Sequence, residues 1–147
     1  MENYFAEVFT KVLLKLKDEI NNFKNEDNIW RTADGITNPA GRLAIHLTGS
    51  LNFCIGNLVG NNGYVRNREE EFSITDVPRE KIIADIDDLI VVVKNTLENI
   101  DQQKLDAIYP LDMLGQKSTT MYLTYFFGHL NYHLGQINYL RRILEKD

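Results

Sequence analysis

Apolar residues recur at three- and four-residue steps in four separate segments, and this spacing predicts four amphipathic helices. The segments run from residue 2 to about 24, from 38 to about 59, from about 76 to 100, and from about 118 to 144. No segment shows the alternating apolar and polar positions of a convincing strand. The expected fold class is therefore all-α, with the helices arranged as a four-helix bundle.

The connection between the second and third predicted helices is unusually long. Gly60-Asn61-Asn62-Gly63 ends the second helix, and about eighteen residues, 60–77, separate it from the third. Loops of this length in compact domains are typically functional or disordered. The aromatic residues Tyr64 and Phe72, together with Val65, favour a loop that packs. Its length permits a crossover between helices 2 and 3.

The fourth predicted helix is apolar on nearly every side in its middle part. A helix with this pattern is either buried all round or covered by another subunit. Gly49 and Gly56 in the second helix weaken its intrinsic propensity, but they permit close approach of a neighbouring element.

Length and composition limit the possible classes of protein. The 147 residues suit one domain spanning 1–147, and the net charge of −5 disfavours a nucleic-acid partner. The single cysteine, Cys54, excludes an internal disulfide and is interpreted as a small core residue. The chain start lacks the pattern of a secretory signal, and no apolar run is long enough for a membrane span. A cytoplasmic location is expected.

The chain has three histidines, and all three lie in apolar helical segments. His129 and His133 are four residues apart, which places them on one helical face. His46 belongs to the core-facing side of the second helix. A single buried histidine is usually a hydrogen-bonded core residue. Burying three removes the hydration of three imidazoles, and each then needs a partner. One shared metal ion satisfies all of them. Three imidazoles suit Zn²⁺, Ni²⁺ or Fe²⁺ with one coordination position open, which is a catalytic pattern.

Other residues are candidates for supporting roles. Gln136 lies three residues beyond His133 and is positioned to orient it or a bound water. Tyr64, Arg66 and Arg68 form a pocket rim if the long loop folds over the site. Otherwise they are solvated, with the arginines balanced by the glutamates that follow. No carboxylate is obviously placed beside the histidines.

Two strings of residues resemble those of the DinB-like (DinB/YfiT) superfamily of metal-binding four-helix bundles. They are Leu43-Ala44-Ile45-His46-Leu47 and the stretch 129–137, which begins His-Leu-Asn-Tyr-His and continues Leu-Gly-Gln-Ile. The resemblance covers almost the whole chain. It implies a bundle with crossover topology, a homodimer, and a divalent metal held by residues corresponding to His46, His129 and His133.

The resemblance also implies an activity. Some DinB-like proteins transfer low-molecular-weight thiols, and others are thiol-dependent isomerases. The sequence therefore predicts a metal-dependent enzyme with a small-molecule substrate, such as a thiol S-transferase that uses a low-molecular-weight thiol as co-substrate, or a metal-dependent hydrolase. The alternative is a non-catalytic dimeric bundle whose metal is structural, or which binds a small ligand.

Overall fold

The predicted apolar stripes form helices in a computed structural model that describes residues 3–146. The helices are α1 (Phe5–Asn21), α2 (Ala40–Leu51), α3 (Arg68–Ser73), α4 (Arg79–Glu98), α5 (Gln102–Asp106) and α6 (Thr119–Leu144), with a 3₁₀ helix at Glu26–Trp30 and a π-helical turn at Asn52–Asn57. The described residues contain no strand, only an isolated bridge between Ile108 and Ser118. The all-α prediction is confirmed. The predicted start of the first helix at residue 2 lies outside the described residues.

Four long helices surround one core. α1 packs along α4 and also contacts α6, while α2 contacts the same two helices. α1 and α2 therefore lie diagonally across the bundle. The crossover predicted between helices 2 and 3 is not confirmed, because that connection joins α2 to α4, which are neighbours. The inward-facing residues of α1 and α4 are fully or almost fully buried: Phe9, Val12, Leu13, Leu16, Ile20, Ile82, Ile86, Leu89, Val93 and Leu97.

The second predicted helix is continuous, but its backbone hydrogen-bonding pattern changes from α-helical to π-helical along its length. Pro39 has extended backbone dihedrals and acts as the N-cap, so α2 begins at Ala40, two residues after the start of the predicted segment. After Leu51 the backbone continues as the π-helical turn Asn52–Asn57, which carries the buried Cys54. Burial raises the pKa of the Cys54 thiol, which keeps it neutral. These properties fit a small core residue.

The long connection after α2 contains a helix that the apolar pattern did not predict. α3 is capped by Asn67, whose side chain accepts a hydrogen bond from the backbone N–H of Glu70. The loop packs only in part: Glu71 is 4% exposed, whereas Val65 is 87% exposed. The expectation that Val65 packs is therefore wrong, and a carboxylate takes the buried position.

α6 is less enclosed than its composition suggested. One side is buried through residues such as Tyr122, Phe126 and Leu130, but Tyr132 and Tyr139 on the other side are about two-thirds exposed. None of the helices in residues 3–146 combines the length and the apolar character needed to cross a membrane.

Candidate metal centre

α2 and α6 bring the three histidines together. His46 is only 6% exposed because it shares the inner face of α2 with Leu43 and Leu47. His129 and His133 are half-buried on the side of α6 that faces α2. The Nε2 atom of His129 lies 3.3 Å from Nε2 of His46 and 3.1 Å from Nε2 of His133. The predicted convergence of the three side chains is present in the structure.

The spacing of these nitrogens matches a shared metal ion. One ligand atom from each imidazole lies within 4.8 Å of the other two. Zinc–nitrogen bonds are about 2.0–2.1 Å long, so two nitrogens on a tetrahedral zinc ion lie about 3.4 Å apart. The described Nε2 atoms are at nearly this separation, and no protein group has to move far to complete a three-nitrogen site.

Hydrogen bonds on the far side of two rings fix which nitrogen faces the centre. Nδ1 of His46 lies 3.1 Å from a carboxylate oxygen of Glu71, and Nδ1 of His133 lies 2.7 Å from the side-chain oxygen of Gln136. Both oxygens are acceptors, so each Nδ1 carries the proton and each Nε2 presents a lone pair. Of the three rings, only His129 can carry a hydrogen on Nε2 that separates the lone pairs of the other two. A cation is the group that satisfies all three nitrogens.

Glu71 is the functional residue that the sequence did not predict. Unlike the exposed side chains of Glu69 and Glu70, its carboxylate is buried behind His46 and accepts two 2.8 Å hydrogen bonds from Arg66. The expectation that no carboxylate lies beside the histidines is wrong. The available sequence signal was the Asn67-x-x-Glu70 cap, which predicts a short helix inside the loop.

Gly49 makes room for this carboxylate. A Cβ atom built on Gly49 lies 2.8 Å from the carboxyl carbon of Glu71 and closer still to one of its oxygens. Only a residue without a side chain allows α3 to bring Glu71 so near to α2. The close approach expected from this glycine therefore serves the hydrogen bond between Glu71 and His46.

The predicted rim residues occupy different places. Two N–H groups of Arg66 donate to Glu71, which joins Arg66 to the histidine cluster through the carboxylate. Tyr64 is half-buried and, with Glu71, lines a separate cavity of about 440 Å³. Arg68 is exposed and lies 5.2 Å from the centroid of the Phe72 ring, which in turn packs 4.7 Å from the His46 ring. Arg68 therefore does not reach the cluster.

Burial favours the neutral form of His129 and His46. Desolvation, reinforced by the other two imidazoles and Arg66, lowers the pKa of His129 to about 4. Desolvation also lowers the pKa of His46, although the hydrogen bond that its Nδ1–H donates to Glu71 opposes the shift. Neutral imidazole is the form that binds metals, so at neutral pH these two rings need not lose a proton first.

The fold and the site together define a class: a DinB-like helical bundle with a three-histidine cluster in its core. The chain belongs to the DinB-like family described as "Protein of unknown function (DUF1572)", whose family model matches residues 3–147. The structure is similar to the crystal structure of a DinB-like protein from Bacillus cereus ATCC 10987, with a TM-score of 0.73 and 16% identity over 95% of this chain and 90% of that one. At this identity the likeness shows the fold alone. No curated protein matches the sequence.

Replacing Gly49 by alanine is expected to destabilise the protein. The new methyl group displaces Glu71 and breaks its hydrogen bonds to His46 and Arg66, at a cost of about 1–3 kcal/mol in the free energy of unfolding. Gly128→Ala is the matched control, because among the described residues no heavy atom lies within 4 Å of a Cβ placed there. This exposed helical position should gain up to about 1 kcal/mol. Urea unfolding of both variants measures the difference, and equal stabilities would contradict the role of Gly49.

The stability of the metal-free protein should depend on pH through the cluster. Unfolded histidine has a pKa of about 6.5, whereas that of folded His129 is about 4. Between these values the unfolded chain binds protons that the folded chain does not, so the free energy of unfolding falls as pH falls from about 6.5 to 4. His129→Gln removes one such group and should give a shallower dependence. Urea unfolding in the presence of a chelator at pH 7, 6 and 5 checks this, and identical slopes would disprove it.

Proposed function

We propose that His46, His129 and His133 bind one divalent metal ion through their Nε2 atoms and that the protein is a metal-dependent enzyme acting on a small molecule. One observation carries the proposal: three Nε2 atoms converge while acceptors hold the Nδ1 protons of two rings on the opposite side. Core histidines that are merely hydrogen-bonded have no need to point lone pairs at one another.

The ligand set suits Zn²⁺, Ni²⁺ or Fe²⁺, since neutral imidazole is a common ligand of all three. Three protein ligands would leave one coordination position of the metal ion open. A water or thiol bound in that position would have a lowered pKa. This chemistry supports either transfer of a thiol or hydrolysis. Thiol S-transfer, with a low-molecular-weight thiol as co-substrate, is the reaction that the resemblance to DinB-like thiol transferases favours.

The residues around the cluster have distinct tasks in this proposal. Glu71 holds the His46 ring in place and stabilises its Nδ1 proton, and Arg66 orients the buried carboxylate through two hydrogen bonds. Gln136 does the same for His133 from the exposed side of α6. Arg66 is already paired with Glu71, so the proposal does not assign it the carboxylates of a thiol co-substrate.

Metal binding is tested with protein purified without a histidine tag. We expect one zinc ion per chain in a titration against a competing chelator, and loss of binding in His129→Ala. Glu71→Gln retains all three ligands but loses the carboxylate behind His46, so its affinity should fall about 10–100-fold.

Asn131→Ala is the control for these variants. Asn131 lies between the two histidines on α6, is exposed, and donates only to the backbone oxygen of Phe127. Its substitution should leave zinc affinity unchanged. The metal site would be refuted if the wild-type protein bound no metal at micromolar zinc and its free energy of unfolding were the same with and without zinc.

Catalysis is tested with zinc- or nickel-loaded protein, a panel of low-molecular-weight thiols and electrophilic acceptors. We expect thiol consumption that depends on the metal and is lost in His46→Ala, while circular dichroism shows that the variant remains folded. If the loaded protein binds metal but turns over neither thiols nor hydrolysable esters, the non-catalytic alternative is favoured.

We also propose that the protein is a homodimer. The supporting observation is a stripe of exposed apolar side chains on α6, formed by Met121, Tyr125 and Tyr132, which are 44–65% exposed. These residues are separated by four and seven positions, so they share one side of the helix. A second copy would cover them with apolar surface.

Sedimentation velocity tests the assembly. The wild-type protein should sediment as a dimer, and Tyr125→Asp should shift it to the monomer because a charge in the middle of the stripe would be buried. Val91→Asp introduces the same charge at a 57% exposed apolar position on α4 and should leave the dimer intact. A wild-type monomer at tens of micromolar would contradict the proposal.

A further inference from the structure

A groove of about 680 Å³ reaches His133, between α6 and the chain just before α2. Its base includes the buried side chains of Leu43 and Leu140. Its sides include Ile36 and Ile143, which are 41% and 45% exposed. The volume is within the range of about 300–1,000 Å³ that is usual for small-molecule sites.

The groove adjoins the candidate metal centre through two residues. His133 and Gln136 both line it, and they are hydrogen-bonded to each other. A molecule lying in the groove therefore touches a residue of the histidine cluster. The segment that forms the opposite side turns at Gly35, whose φ of +79° is readily adopted only by glycine, and this turn holds Ile36 across from Ile143.

The lining is uncharged. Among the described residues, none of those lining the groove is Asp, Glu, Lys or Arg, although a quarter of the chain is charged. Arg142, on this part of α6, lies 5.5 Å from the centroid of the Tyr139 ring and is not part of the lining. A ligand with several carboxylates would lose its hydration here without gaining an ion pair. An apolar ligand would gain from leaving water.

We propose that this groove binds the apolar body of the small-molecule substrate, while its reactive polar group lies at the three-histidine centre. The substrate class is thus an uncharged molecule with an aliphatic or aromatic body of several carbon atoms and one polar head. The inference rests on the proposed metal site. A second copy of the chain is a less suitable occupant, because the groove is concave and has polar groups of His133 and Gln136 at one end.

A series of alkyl hydroxamates tests the proposal on zinc-loaded protein, since the hydroxamate head binds zinc and the tail varies. Isothermal titration calorimetry compares acetohydroxamate, butanohydroxamate and hexanohydroxamate. Each added methylene that enters the groove should tighten binding about threefold, so hexanohydroxamate should bind roughly 50–100-fold more tightly than acetohydroxamate.

Ile36→Asp and Ile143→Asp place a charge in the sides of the groove at exposed positions that should not affect folding. In both variants, most of the increase in affinity with alkyl tail length should be lost. Their affinity for acetohydroxamate should stay within about threefold of that of the wild type. Val91→Asp is the control and should retain the full gain. If acetohydroxamate binds but tail length has no effect, the groove is not the substrate site, although the metal centre stands.

A second experiment distinguishes an incorrect groove proposal from an incorrect metal-site proposal. In metal-free protein, 1-octanol should shift the methyl NMR signals of Ile36, Leu43 and Ile143 and not those of Val91. If zinc and hydroxamates do not bind, the proposed function fails, and absence of these octanol shifts overturns the groove independently. If Ile143→Asp turns a dimer into a monomer without changing the tail-length gain, the groove is covered by a second copy and the inference is wrong.

Discussion

Three imidazole nitrogens with their lone pairs directed at one point repel one another unless a proton or a cation lies between them. In this protein Glu71 and Gln136 hold the Nδ1 protons of two rings away from the centre, so the Nε2 lone pairs of His46 and His133 both face it. Burial disfavours relief by protonation of His129 and His46, because it lowers the pKa of both rings. The arrangement could hold a metal ion, and α2, α3 and α6 carry the residues that form it.

The Glu71 carboxylate behind His46 depends on several other features of the chain. A buried charge is costly, and here it is compensated by two hydrogen bonds from Arg66 and by the proton of His46. Its placement also requires a glycine on α2 and a short helix in a loop. Three separate features of the sequence, Arg66, Gly49 and α3, therefore support one hydrogen bond donated by one histidine, which is more than a core histidine requires.

The apolar stripes and the three histidines could be predicted from the sequence because helical periodicity is local: residues three and four apart share a face wherever the helix lies. Glu71 could not be predicted in this way. Its burial depends on the fit between Gly49 and a loop residue twenty-two positions later, and no local pattern distinguishes it from the exposed Glu69 and Glu70. The crossover predicted between helices 2 and 3 is not confirmed, and loop length alone does not determine which helices become neighbours. The two sides of the cluster also differ chemically, with a charged network at His46 and an uncharged groove at His133, and this contrast appears only in three dimensions.

The central claim is that all three histidines bind one metal ion through Nε2. It is tested most directly by the ¹⁵N NMR spectrum of the histidine side chains during zinc titration. The account predicts that zinc shifts the Nε2 signal of all three rings at one equivalent, while Nδ1 of His46 and His133 carries a proton throughout. Unchanged Nε2 signals, or ligation through Nδ1 of either of these two rings, would contradict it.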